Sequence, residues 1–383
     1  MFDNLETTFQ GKSNQELRES YYLFKMMRLK KLIDYFTPLT LFISGFPNPM
    51  RCLIEKTLFK QFVGGETIEA CQKTIHILEA KNVGSILDYS VEGKQSLWDF
   101  RRTKEELVRI INKTSSNASI PMYVFKITGL IRFRILEKKQ ANIPLLKEET
   151  IEFDKCLKFV YEVCETAVKN KQRIMIDAEE TWIQDSIDII AEDLMRTFNK
   201  EQCYVYNTIQ FYRTSAENYL YTLHKKVQDD YKIGIKIVRG AYMEKERARA
   251  EELNYPSPIH INKELTDKAF NNGVAFCIEH KIANIIGSHN EESNLLAVQL
   301  LKENPSFDKS NIFFSQLLGM SDNISFNLSK EGFNVAKYVP YGPIKEVMPY
   351  LIRRAQENTS INGQMGRELT LISKELERRK NSK

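Results

Sequence analysis

Cysteine is scarce and unpaired in this chain: six residues in 383 (Cys52, Cys71, Cys156, Cys164, Cys203 and Cys277), none in a C-x-x-C spacing. That argues against a disulfide scaffold and for a reduced compartment; three of the six sit in apolar strings, as small buried side chains do. No apolar run reaches the roughly 18 residues that span a bilayer. The polar start MFDNLETTFQGKSNQE has neither a signal core nor an Arg/Ser-rich transit character. Long blocks of one charge are also missing: 55 basic and 50 acidic residues are interleaved to a net +5, which disfavours nucleic acid as a partner. There are five histidines with no second histidine at metal-ligand spacing, so no metal site is expected. Neither G-x-G-x-x-G after a strand nor G-x-x-x-x-G-K-S/T occurs, which leaves Rossmann and P-loop nucleotide sites without their fingerprint.

What is present is apolar material for a large core: 42% of the residues are hydrophobic, enough for one big domain and an appendage. From Asn14 to about Lys81 the pattern is helical and amphipathic, broken at Thr37-Pro38, Pro47-Asn48-Pro49 and Gly64-Gly65. It reads as a helical arm. Eight compact strings rich in Val, Ile, Phe and Tyr follow, with helical stretches between them. They are VGSILDY (83–89), MYVFKITG (122–129), RIMIDAE (173–179), CYVYNTI (203–209), IGIKIVRG (233–240), IANIIGS (282–288), IFFSQLL (312–318) and VAKYVPY (335–341). Near-continuous hydrophobicity fits strands covered on both faces. Eight such strands alternating with helices predict an α/β fold, a (β/α)8 TIM-type barrel with an N-terminal helical arm; a doubly wound open sheet is the alternative. The expected division is 1–80 arm, 81–360 catalytic barrel and 361–383 basic tail.

In a barrel the chemistry lies at the C-terminal strand ends. There the sequence places Lys126, Asp177-Ala178-Glu179-Glu180, Gln210, Arg239-Gly240-Ala241-Tyr242, Ser288-His289-Asn290, Gln316 and Tyr338. One polar strand end is more often a surface charge than a catalyst; a polar group at seven of eight shifts the balance toward a site. Lys126, amid apolar residues, must snorkel, pair with an anion or be neutral, so anion binding and Schiff-base chemistry both stand. Asp177 suits an arginine or an ammonium. Glu179 and Glu180 read as helix-start acids favoured by the helix dipole. On a helical wheel from Glu346, Tyr350, Arg353, Arg354 and Glu357 share one side, opposite Val347, Met348, Leu351, Ile352 and Ala355. Lys126, Arg353 and Arg354 against one aspartate suit a small carboxylate or phosphate.

The strings ILDYSVEG from Ile86, KITGL from Lys126, DAEET from Asp177, NTIQFY from Asn207 and KIVRGAY from Lys236 together resemble the proline dehydrogenase family. SHNEE from Ser288, FSQLLGMSD from Phe314 and KYVPYGP from Lys337 with the RRAQEN helix extend the likeness to Phe62–Asn358. The resemblance implies a barrel that holds noncovalent FAD and oxidises L-proline to Δ1-pyrroline-5-carboxylate by hydride transfer to flavin N5, with a quinone as the next acceptor. By that likeness Arg353, Arg354 and Lys126 bind the proline carboxylate, while Tyr338, Tyr350, Tyr242 and Leu317 wall the ring and Asp177 holds the arginine face. Gln210, Lys236, Val238, Arg239, Ala241, His289 and Glu357 match positions near FAD, with Lys236 as a cation beside the isoalloxazine. The spelling is closer to the single-function enzymes than to the fused bacterial ones, where arginine stands at 236 and lysine at 239. A bulky Tyr338 implies proline over hydroxyproline, and no base for the amine proton is evident.

A quinone acceptor implies peripheral membrane attachment, through FKMMRLKKLIDYF from Phe24 or KELERRKNSK from Lys374, although each segment by itself reads more readily as a solvated surface helix. The apolar FTPLTLFISGF (36–46) is too short to span and reads as arm packing. The expected location is the cytoplasm, peripheral on the inner membrane, or the mitochondrion if a leader was removed. Homo-oligomerisation stays open. A hydroxyproline oxidase, a lysine-dependent aldolase using Lys126 and a non-catalytic anion-binding barrel remain as rivals.

Overall fold

The computed structural model describes residues 1–27, 55–89, 95–228, 230–344, 346–348, 350–351 and 364–382. Eight parallel strands close into a barrel in sequence order: β1 Gly84–Tyr89, β2 Met122–Lys126, β3 Arg173–Asp177, β4 Val205–Gln210, β5 Gly234–Val238, β6 Ala283–Gly287, β7 Ile312–Leu317 and β8 Val335–Tyr341. The ring closes where β1 pairs with β8, from Gly84↔Ala336 to Tyr89↔Tyr341. An open sheet does not pair its first strand with its last, so the doubly wound alternative is overturned. Every apolar string became a strand because its residues are covered on both faces; all of β4 and all of β8 are buried.

The chain divides into two compact units, Met1–Ser90 with Gln316–Lys383, and Val91–Ser315. In the first, the helices Leu5–Phe9 and Asn14–Met27 pack against the Gln364–Asn381 helix. Phe9, Leu17, Phe24, Phe62, Leu351, Leu371 and Ile372 share one apolar core, so arm and tail residues bury each other's apolar faces. The basic stretch from Lys374 lies in that last helix, and two of its arginines point at protein. Glu375, 0% exposed, accepts from Arg378 and Arg379, and Arg379 also donates to the carbonyls of Phe9 and Lys12. Most of the basic segment from Phe24, the apolar 36–46 stretch and Cys52 lie outside the described residues. Among the described residues no helix is long and apolar enough to cross a membrane.

In the second unit, β2 to β7 as far as Ser315 alternate with their covering helices. Asparagine and serine caps set where those helices begin. Ser96 accepts from the Asp99 amide, Asn262 from that of Leu265 and Asn290 from that of Ser293, each satisfying a first-turn N–H the helix cannot.

Candidate active site

Lys126 ends β2 and Asp177, its register partner, ends β3. The Lys126 ammonium donates to the Tyr242 hydroxyl at 3.2 Å, so the strand-end lysine is held by a phenol from the β5 rim. Asp177 meets Lys236 Nζ at 2.5 Å, with both side chains largely buried. Since β4 separates β3 from β5, a contact between these two side chains runs through the barrel interior. Asp177 was expected to suit an arginine or an ammonium; among the described residues it meets the ammonium of Lys236, and Arg353 and Arg354 lie outside them.

Glu179 stands just before the Thr181–Phe198 helix, as a helix-start acid would, but its carboxylate is engaged elsewhere. It is 4% exposed and accepts from the Thr128 backbone at 3.0 Å and from the Thr128 hydroxyl. Burial pushes its carboxyl up to about 7, against the pull of Lys126 and Thr128. Glu180 is also buried and ion-paired, to Lys245, and its side chain caps no helix. Both acids stay at the start of the Thr181–Phe198 helix, but their carboxylates turn to partners outside it, Thr128 after β2 and Lys245 on the Met243–Glu252 helix.

Gln210, at the end of β4, is buried and used at both ends. Its amide nitrogen donates to the Glu179 carbonyl at 2.7 Å, and its oxygen accepts from the Ala241 amide at 3.3 Å. Thr128, Glu179, Gln210 and Ala241 thus form a chain of hydrogen bonds along the rim from β2 to β5. Sequence reasoning missed Thr128 and Glu179, although both stand inside the KITGL and DAEET strings.

Arg239 lies just past β5 with three of its donors placed on protein: Asp267 at 2.6 Å, Ser288 Oγ at 2.8 Å and Ser293 Oγ at 2.9 Å, while its face covers Phe270. Beside it Val238 and His289 are half-buried and Ala241 is exposed. Gly240 has φ +134°, and a β-carbon there would sit 2.6 Å from the Tyr212 ring. Gly240→Ala is expected to cost about 1–3 kcal/mol, read as a lower urea midpoint at unchanged slope.

The first unit carries the other candidates. Leu317 ends β7 half-buried, the Leu318 amide donates to the Tyr338 carbonyl at 2.9 Å, and Tyr338 is buried on β8. Tyr350 is 7% exposed, and its ring joins the apolar core with Val347, Met348 and Leu351. Arg353, Arg354 and Glu357 lie outside the described residues.

A sequence model of the family described as proline dehydrogenase matches residues 71–367. The chain belongs to the proline dehydrogenase family. It is 30% identical to mitochondrial proline dehydrogenase 1 of Dictyostelium discoideum, over 96% of this chain and 73% of that protein. It is also 30% identical to the carbapenem antibiotics biosynthesis protein CarD of Pectobacterium carotovorum subsp. carotovorum, over 83% of each. The proline dehydrogenase barrel is shared with proline utilization A (PutA) from Bdellovibrio bacteriovorus, with a TM-score of 0.71 at 20% identity. That match covers 84% of this chain and 36% of the longer one, and it shows the fold.

Within this proline dehydrogenase, Glu179 sets a pH dependence. Its folded value of about 7 exceeds the ordinary 4.5, so between those values the native state keeps a proton that the unfolded chain has lost. Stability therefore falls as pH rises from about 4.5 to about 7, with a slope of up to about 1.4 kcal/mol per pH unit from this group. Glu368, also raised to about 7 by burial and by the charge of Asp322, adds in the same direction. Glu179→Gln is expected to flatten that part of a urea-midpoint profile against pH; an unaltered profile would exclude Glu179 as a source.

Proposed function

We propose that this chain oxidises L-proline to Δ1-pyrroline-5-carboxylate with FAD as its resident cofactor and a membrane quinone as final electron acceptor. The observation that carries this reading is a family match over residues 71–367 in a chain whose rim gathers Lys126, Asp177, Gln210, Lys236 and Tyr242. Their donor chemistry fits an anionic cofactor rich in hydrogen-bonding atoms. Arg239 is locked by three protein partners, Lys236 is a buried ammonium, and Gln210 presents an amide fixed at both ends. Lys236, Gln210, Arg239, Val238, Ala241, His289 and Glu357 would hold FAD, which when bound supplies a two-electron acceptor for the hydride on the carbon beside nitrogen.

The remaining work belongs to side chains. Lys126, Arg353 and Arg354 would bind the carboxylate, Lys126 with its ammonium steadied by Tyr242. Leu317, Tyr338, Tyr350 and Tyr242 would enclose the ring and exclude water, and Asp177 would balance the charge of Lys236. Orientation of this kind is worth orders of magnitude in rate. The second reading, a hydroxyproline oxidase, has support in a Xenopus laevis hydroxyproline dehydrogenase that is 28% identical over 97% of this chain. The bulk of buried Tyr338 argues for proline, since an added ring hydroxyl would meet its phenol.

The test is an absorption spectrum of the purified protein before and after anaerobic L-proline, repeated with trans-4-hydroxy-L-proline. Flavin bands bleached faster by proline are expected. Preference for the hydroxylated ring would select the second reading, and no flavin after reconstitution with FAD would overturn both.

A further inference from the structure

Behind Leu317 and Tyr338, in the first unit, lies a cluster of charges that the proposed chemistry does not use. Lys337 stands in the middle of β8 and is 0% exposed. Successive strand residues face opposite sides, so Lys337 points away from the side taken by its neighbour Tyr338. Its ammonium meets Asp322 Oδ1 at 3.0 Å, and Lys12 takes Oδ2 at 2.8 Å. Burial by itself would raise the Asp322 carboxyl, yet Lys12 and Lys337 together hold it well below the usual carboxylate range. The remaining Lys337 donors go to backbone, to the Met320 carbonyl and to that of Leu317 at 3.4 Å.

Those two carbonyls belong to the turn that leaves β7, and further groups of its backbone are also gripped. Gln61 donates to the Gly319 carbonyl at 2.8 Å, and half-buried Glu368 accepts from the Ser321 amide at 2.6 Å. The Leu318 amide closes onto the Tyr338 carbonyl at 2.9 Å. The turn needs this grip because it holds two left-handed residues, Gly319 at φ +77° and Ser321 at φ +51°. At Ser321 such a backbone is costly unless neighbours impose it.

We propose that Lys337 is a positioning residue: anchored by Asp322, it fixes the Leu317–Ser321 turn and so sets the placement of Leu317 and Tyr338 that selects the substrate ring. This rests on the reading of Leu317 and Tyr338 as ring-facing residues. Lys337 touches no reacting atom; it acts through the backbone of the residue that does.

The experiment compares Lys337→Met with Lys12→Met in the full-length, flavin-loaded protein. Both remove one partner of Asp322, and only the first releases the turn. Lys337→Met is expected to raise the KM for proline roughly fivefold with kcat changed less than about twofold. It should lower the proline to trans-4-hydroxyproline ratio of kcat/KM at least roughly threefold and speed hydrogen exchange at the amides of residues 318–321. Lys12→Met should lower the unfolding midpoint and leave the ratio and those amides unchanged. Equal kinetic effects of the two variants, or an unchanged ratio in Lys337→Met, would overturn the proposal. If Lys337→Met does not fold, Gln61→Leu loosens the same turn from its other side and must lower the ratio; an unchanged ratio there overturns the proposal too. A wild-type protein that bleaches with neither amino acid would instead sink the functional reading, while the exchange comparison still reports whether Lys337 fixes the turn.

Discussion

Asp177→Ala is expected to destabilise the protein by about 3–5 kcal/mol, the cost of removing a carboxylate that a buried cation faces. Lys236 reaches Asp177 across the barrel interior at 2.5 Å, and its side chain is 9% exposed. Water therefore has little access to replace the lost carboxylate. Removing the cation as well should recover part of the loss, so Asp177→Ala with Lys236→Met is expected to be less harmful than the two single costs added. A double-mutant cycle by urea unfolding reads this directly, and a coupling below about 0.5 kcal/mol would mean the pair is too well solvated to matter. Flavin content of the same four proteins separates the two uses of the pair. Asp177→Ala should bind FAD less tightly if Lys236 needs its partner to stay in place.

Arg353→Met is expected to raise the apparent KM for L-proline at least tenfold, with a smaller fall in kcat. A hydrogen bond to a charged group is worth about 1.5–3 kcal/mol, which corresponds to roughly ten- to more than hundredfold in binding. The effect belongs in KM because a carboxylate that takes no part in the bond changes is held alike in substrate and transition state. Proline kinetics that do not change would remove Arg353 from the carboxylate site and leave Lys126 and Arg354 to hold it.

The barrel was legible because covered parallel strands leave a continuous apolar trace, and each of the eight strings became one strand. The rim was legible in part. Lys126, Asp177 and Gln210 stood out as polar groups ending apolar runs, yet whom they would bond was hidden, since Asp177 finds Lys236 on a strand two places away. The burial of Tyr350 was not legible, because a helical wheel sees one helix, while burial is decided by what other helices bring to it. Lys337 was overlooked although it breaks an apolar string as plainly as Lys126 does; the difference is that Lys126 ends its strand and Lys337 sits inside one. Glu179 and Glu180 were read as dipole partners because that explanation needs only local sequence.

The division of the chain has a consequence during synthesis. Val91–Ser315 is continuous, whereas the other unit joins Met1–Ser90 to Gln316–Lys383. On a ribosome the residues up to Ser90 emerge before the continuous unit, yet Phe9, Leu17 and Phe24 share their core with Leu371 and Ile372, which emerge after it. The continuous unit can collapse while the leading segment waits with its apolar side chains uncovered, a long closure that favours slow completion. That interval is when a chaperone would find this polypeptide, and the N-terminal helices are where it would hold on.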